Sequence, residues 1–201
     1  YCLVVTLIQF PIMALITLVG MLPVYTIIGP WGSIVPVLIV CTANLWAFEC
    51  IAQLYSLVSN PLVGMFQFIA TWTVSLLFCG FTIRAVDIVW PLRALYYVLP
   101  LQWALSSASY AFVHACPDYA GTEECAVGPD CPRGFYCPGT AEDPLGLFCY
   151  GRTSEQILLS LQGPFSTLST TDTFWRDISV IFAIGSTCKL AHAILLVRRC
   201  S

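Results

Sequence analysis

The first 83 residues carry one charged side chain, Glu49. A stretch so long and so nearly free of charge cannot form the surface of a water-soluble fold, in which roughly a quarter of residues are charged. The rest of the chain does not redress the balance. Lys and Arg number 8 and Asp and Glu 11, which is 9 % of 201 residues, while 58 % are hydrophobic and the mean hydropathy is +0.83. A soluble domain of this size could not hide that much apolar surface. The same composition excludes intrinsic disorder and nucleic-acid binding by a basic surface.

The charges that do occur are clustered. Nine lie between Cys116 and Glu155, and they sum to −5. With a total of −3, the remainder sums to +2, and Lys189, Arg198 and Arg199 stand near its end. The chain therefore has a long lipid-compatible part and one acidic, water-facing insert. It opens on Tyr1 with no signal-peptide pattern, and we take it as a piece of a longer protein.

A helix needs about 20 apolar residues to cross some 30 Å of hydrocarbon. Residues 3–28 supply a first span containing Pro11 and Pro23, which a membrane bundle tolerates. Residues 33–58 form a second, interrupted by Asn44 and Glu49, and residues 62–83 a third without a charge. Residues 84–114 carry Arg84, Asp87, Arg93, Pro91 and Pro100 and are dense in Trp and Tyr, which favour the headgroup zone. They read as short interfacial or re-entrant helices. After the insert, residues 153–163 form a short amphipathic helix with a capping box of Thr153 and Gln156, and residues 177–197 the last span, with Trp175 as interface anchor. The positive-inside rule puts Arg198 and Arg199 in the cytosol, so the insert lies outside.

Five of the 11 cysteines fall in that insert: Cys116, Cys125, Cys131, Cys137 and Cys149. A loop rich in Pro and Gly and poor in apolar residues needs staples, and outside the cytosol these are disulfides. Zinc is the alternative, but no Cys-x2-Cys knuckle occurs, and no metal site is expected. Five is odd, so one thiol is free or bridges to another chain.

The order of local motifs is more telling than any one of them. A span follows Asn60-Pro61-Leu62-Val63-Gly64-Met65 and ends in Phe78-Cys79-Gly80-Phe81. Then come Val89-Trp90-Pro91, Tyr96-Tyr97 and Pro100-Leu101-Gln102-Trp103-Ala104. The outer loop closes with Phe148-Cys149-Tyr150-Gly151, and Trp175-Arg176-Asp177 opens a last span ending in basic residues. In this order the chain resembles the C-terminal part of the membrane domain of the ABC transporter G subfamily, the white and pleiotropic drug resistance type. The resemblance implies that the four spans are the family's third to sixth. It implies as partners a nucleotide-binding domain and two further spans, absent here, and a second membrane half as homodimer, heterodimer or tandem copy. ATP and Mg would belong to that absent domain, because no Gly-x4-Gly-Lys-Ser/Thr occurs in this chain. The insert is more cysteine-rich than the family's usual loop.

The resemblance also implies a substrate cavity between two membrane halves, closed outward by a bulky apolar pair just past a Gly. The matching positions are Gly80, Phe81 and Thr82, and Thr82 departs from the apolar pattern. Ile69, Thr73, Leu76 and Gly80 recur on one helix face. That face either lines the cavity or packs on a neighbour. Glu49 is a polar intramembrane group. It pairs with Asn44 or with a missing span, or it serves coupling or substrate access. Lys189 is expected to snorkel to the headgroups, His192 to be packed, and the stripe of Ser179, Ala183, Thr187 and Ala191 to pack on another span. Arg84 and Asp87 read as an exposed interfacial pair. No catalytic residues are evident.

The expected fold class is all-α, a polytopic helical membrane domain with four spans, re-entrant outer helices and a disulfide-rich extracellular loop, a fragment of a six-span ABC exporter membrane domain. Residues 1–115 hold three spans and the re-entrant helices, 116–152 the Cys-rich loop, and 153–201 the amphipathic helix, last span and cytosolic C-terminus. The expected function is the membrane-spanning part of an ATP-driven exporter of hydrophobic or amphipathic substrates such as lipids, sterols or xenobiotics, in the plasma membrane. The chain alone would be no enzyme. The alternative is a four-span scaffold or receptor that binds a partner through its Cys-rich loop.

Overall fold

The structure, a computed structural model, describes residues 2–28, 34–83, 87–114, 135–136, 148–149, 154–162, 165, 167–169 and 171–200. Its helices are α1 (Cys2–Ile28), α2 (Ile34–Tyr55), α3 (Pro61–Leu77), α4 (Arg93–Val98), α5 (Pro100–His114), α6 (Ser154–Gln162) and α7 (Phe174–Cys200). In the insert, β1 (Phe135–Tyr136) and β2 (Phe148–Cys149) pair antiparallel, Phe135 opposite Cys149.

Among the described residues three helices are long and apolar enough to cross a membrane: α1, α2 and α7. At 1.5 Å per residue the 27, 22 and 27 residues extend about 40, 33 and 40 Å, each more than the hydrocarbon thickness. These helices suggest an integral membrane protein. Pro11 and Pro23 sit inside α1 without ending it. The Thr17 hydroxyl donates to the Met13 carbonyl at 2.8 Å and Thr26 to that of Pro23 at 2.9 Å.

The third span differs from expectation. Asn60 starts α3 by accepting from the Leu62 N–H at 3.0 Å, and Pro61 occupies a first-turn position where its missing N–H is harmless. The helix then stops at Leu77 after 17 residues, about 25 Å, instead of running to residue 83. Gly80, at φ +83°, turns the chain out of the helical direction. Such an angle suits glycine because a Cβ clashes there.

Helix α2 lies at the centre and contacts α1, α3, α5 and α7. Val40, Ala43 and Ala47 of α2 pack with Ala104 of α5 and with Ile178 and Ile181 of α7. Small residues let the backbones approach, and close van der Waals packing is what holds helices together in lipid. The clearest case is Gly185, where any Cβ would run into the Trp46 ring. Trp46 is flanked in turn by Phe182, with ring centroids 5.1 Å apart. The buried face of α7 is thus Ile178, Ile181, Gly185 and His192. This corrects the expectation for the small-residue stripe: Ser179, Ala183 and Thr187 are exposed and Ala191 half-buried. The seam lies on the opposite side of the helix, where Ile178, Ile181 and Gly185 meet α2 and α5.

The segment expected to form short re-entrant or interfacial helices holds two helices. Helix α4 is a turn and a half, and α5 packs against both α2 and α7, burying Gln102, Ala104, Ser106 and Ser107. Helix α6 follows the expected amphipathic segment and packs on α5. Of the five loop cysteines, Cys116, Cys125, Cys131 and Cys137 lie outside the described residues, as does the side chain of Cys149, and so do Arg84 and Thr153.

Candidate functional site

Four polar side chains from three spans meet inside the bundle. Glu49 and Gln53 are one turn apart on α2 and share a face. Glu49 Oε1 accepts from Gln9 Nε2 of α1 at 3.0 Å and from Gln53 Nε2 at 3.3 Å. Gln53 Nε2 also donates to Gln9 Oε1 at 3.0 Å, and Gln53 Oε1 accepts from Lys189 Nζ of α7 at 2.6 Å. The Gln53 amide therefore stands between a carboxylate and an ammonium with its dipole aligned to both. Pairing of this kind lowers the large penalty for placing charge in hydrocarbon.

Two expectations are corrected here. Glu49 does not pair with Asn44, whose Oδ1 is buried without a hydrogen-bond partner. Lys189, expected to reach for the headgroups, bonds instead to Gln53, two residues before the end of α2. Nothing in the spacing of Gln9, Gln53 and Lys189 along the chain marks them as a set. The only sequence signal is that each is a long polar side chain in an otherwise apolar helix. His192 is buried, as expected, and its Nδ1 has no hydrogen-bond partner.

A second polar knot ties α5 to the first turn of α7. Asp177 is fully buried. Its Oδ2 accepts from the Ser107 hydroxyl at 2.8 Å and from Thr173 at 2.7 Å. Its Oδ1 accepts from Arg176 Nε at 3.0 Å and forms an ion pair with the same guanidinium at 2.9 Å. The position near a helix N-terminus favours a negative charge. Arg176 also lies over the Trp103 ring, 5.5 Å from its centroid, and the Trp103 indole donates to the Tyr97 carbonyl at 3.1 Å. The Trp-Arg-Asp and Gln-Trp-Ala motifs, apart in sequence, are one structural unit.

The expected outer gate is built as a clamped turn. The Thr167 hydroxyl donates to the Cys79 carbonyl at 3.0 Å and hydrogen-bonds the Tyr96 hydroxyl at 3.1 Å. A Cβ at Gly80 would overlap that Thr167 hydroxyl. Burial pushes the Tyr96 phenol above its ordinary pKa, opposed in part by its bond to Thr167. Phe81, next in the chain, stacks on Phe165 with centroids 4.7 Å apart and rings 3° from parallel. Thr82 is exposed and its hydroxyl donates to the Leu76 carbonyl at 3.3 Å. The bulky partner of Phe81 is thus Phe165, 84 positions later, and not its neighbour Thr82.

Beside this turn lies an apolar cavity of about 390 Å³. It is walled by the end of α1 (Met21, Tyr25), by α5 (Phe112), by α6 (Leu158, Leu161) and by Phe165. Phe81 borders it, whereas Ile69, Thr73 and Leu76 do not. Those three lie together on an exposed face of α3, where the Thr73 hydroxyl is turned back to the Ile69 carbonyl at 2.9 Å. Among the described residues no helix covers that face, which leaves it open to lipid or to a second membrane half.

Among the described residues no group of three His, Cys, Asp or Glu side chains could hold a metal ion. Cys41, Cys50, Cys79 and Cys188 are free thiols. No family model, curated protein or solved structure matches this chain.

Proposed function

We propose that this chain is the membrane-spanning part of an ATP-driven exporter of the ABC G type, moving hydrophobic or amphipathic molecules such as lipids, sterols or xenobiotics. The observation that carries the reading is α5, a helix of 15 residues between the third apolar helix and the insert that packs on both α2 and α7. A four-span scaffold that only displays an outer loop has no need of it. The clamped Gly80 turn and the Phe81–Phe165 stack beside α5 supply a barrier that rotation of a few side chains can open.

In this reading the exposed α3 face of Ile69, Thr73 and Leu76 borders a cavity shared with a second membrane half. Substrate passes along it and leaves by the Gly80–Phe81 turn. The Gln9–Glu49–Gln53–Lys189 cluster keeps α1, α2 and α7 moving as one body. This chain has no phosphate-binding loop, so its residues form the path and a separate nucleotide-binding domain supplies the work. The Cys-rich insert faces the outside and Arg198 and Arg199 the cytosol.

The test is uptake of a fluorescent lipophilic compound into inside-out vesicles bearing the full-length protein. Uptake that needs hydrolysable ATP, and whose compound selectivity shifts in Ile69→Trp, supports the reading. Equal uptake with and without ATP refutes it.

A further inference from the structure

The cavity between α1, α5 and α6 has a chemistry of its own, separate from the α3 face. It holds about 390 Å³, within the range of roughly 300–1,000 Å³ typical of small-molecule sites. Its lining bears no charge, and only Tyr25 and Ser109 contribute hydroxyls. An ordered water needs two to four polar partners, so two hydroxyls hold one water at most and the rest of the space does not suit water. Left empty, it would forfeit the dispersion contacts of every side chain around it. Its position supplies the alternative. Met21 and Tyr25 lie within the last eight residues of α1, about 4–10 Å of helix rise from Ile28, which is acyl-chain depth near one end of a span. Val24 and Phe81, both exposed, stand at its edge and face the surrounding medium.

We infer that this cavity holds one acyl chain of a bilayer lipid, seated between α1 and the α5–α6 pair. The chain's methylenes meet Leu105, Phe112 and Leu161, and its end lies against the Phe81–Phe165 stack. The lipid is a resident of a single membrane half, so the inference stands apart from the transport reading and survives its failure.

The test uses the full-length protein in phosphatidylcholine vesicles in which one acyl chain carries a mid-chain diazirine. After irradiation, adducts are mapped by mass spectrometry. Leu105 and Phe112 of α5 line the cavity and are half-buried, so they present surface to a chain seated in it. Phe66 and Trp72 on the open face of α3 serve as the control for bulk lipid. The expected result is labelling of Leu105 and Phe112 in the unaltered protein. It falls at least fivefold when the cavity is filled by Ser109→Phe or, independently, Leu161→Trp, with α3 labelling unchanged. Absence of adducts on α5 while α3 is labelled overturns the inference. So does labelling of Leu105 and Phe112 that neither filling variant reduces.

Discussion

Replacing Lys189 by Met removes the ammonium that Gln53 Oε1 accepts from, and it leaves Glu49 as an intramembrane charge without a counter-charge in its cluster. The two charges are separated by one amide, roughly 7 Å. At an effective dielectric constant near 20 their attraction is then about 2 kcal/mol. Replacing Glu49 by Gln removes the other charge and keeps the shape. Each single change should destabilise. The double variant E49Q/K189M should be less destabilised than the sum by about 2 kcal/mol, because it leaves no unpaired charge. At about 2–4 °C per kcal/mol for a protein of this size, the coupling appears as roughly 4–8 °C in Tm. Thermal unfolding of the full-length protein in one detergent can be followed by a thiol-reactive dye, because Cys50 is buried in the bundle and reacts only on opening. Strict additivity, within about 0.5 kcal/mol, would refute the claim that Gln53 links the two charges.

Asp177→Asn removes the negative charge that accepts from Ser107, Thr173 and Arg176, and should lower stability by about 1.5–3 kcal/mol in the same melting assay. Gly80→Ala forces a Cβ onto the Thr167 hydroxyl at a positive φ, at about 1–2 kcal/mol for the backbone alone. Because the clamp over Cys79 is lost, that buried thiol should become reactive to maleimide, seen as an adduct on its peptide. The Tyr96 phenol, raised by burial above the ordinary 10.0, stays neutral in the folded state until the pH exceeds that value. Its stabilising contribution is complete below pH 10 and is lost as the pH rises through the higher folded value. The tyrosinate absorbance missing from Tyr96→Phe should therefore belong to the alkaline end of the titration.

The membrane character of this chain was legible in its sequence because hydrocarbon imposes a length and a composition on each span. Charge counting over residues 1–83 was enough to see it. The ends of α1 and α6 and the break into α4 and α5 were also local matters of Pro, Gly and aromatic placement. The third span was overrun because uncharged residues 78–83 read as helix by composition. What ends it is the Gly80 turn, held by Tyr96 and Thr167 from distant parts of the chain. The partner of Glu49 was illegible for the same reason. Gln9 and Lys189 lie 40 residues before and 140 after it, and only helix packing brings both to its face. Phe81 stacks on Phe165 and not on the adjacent Thr82, since stacking follows proximity in space. Sequence alone determined the medium, the helices and the candidate polar groups, because these depend on each residue's own transfer energy and backbone preference. Tertiary structure decided which polar groups meet, which face of α7 is buried and where a cavity remains, because those depend on contacts between residues far apart along the chain.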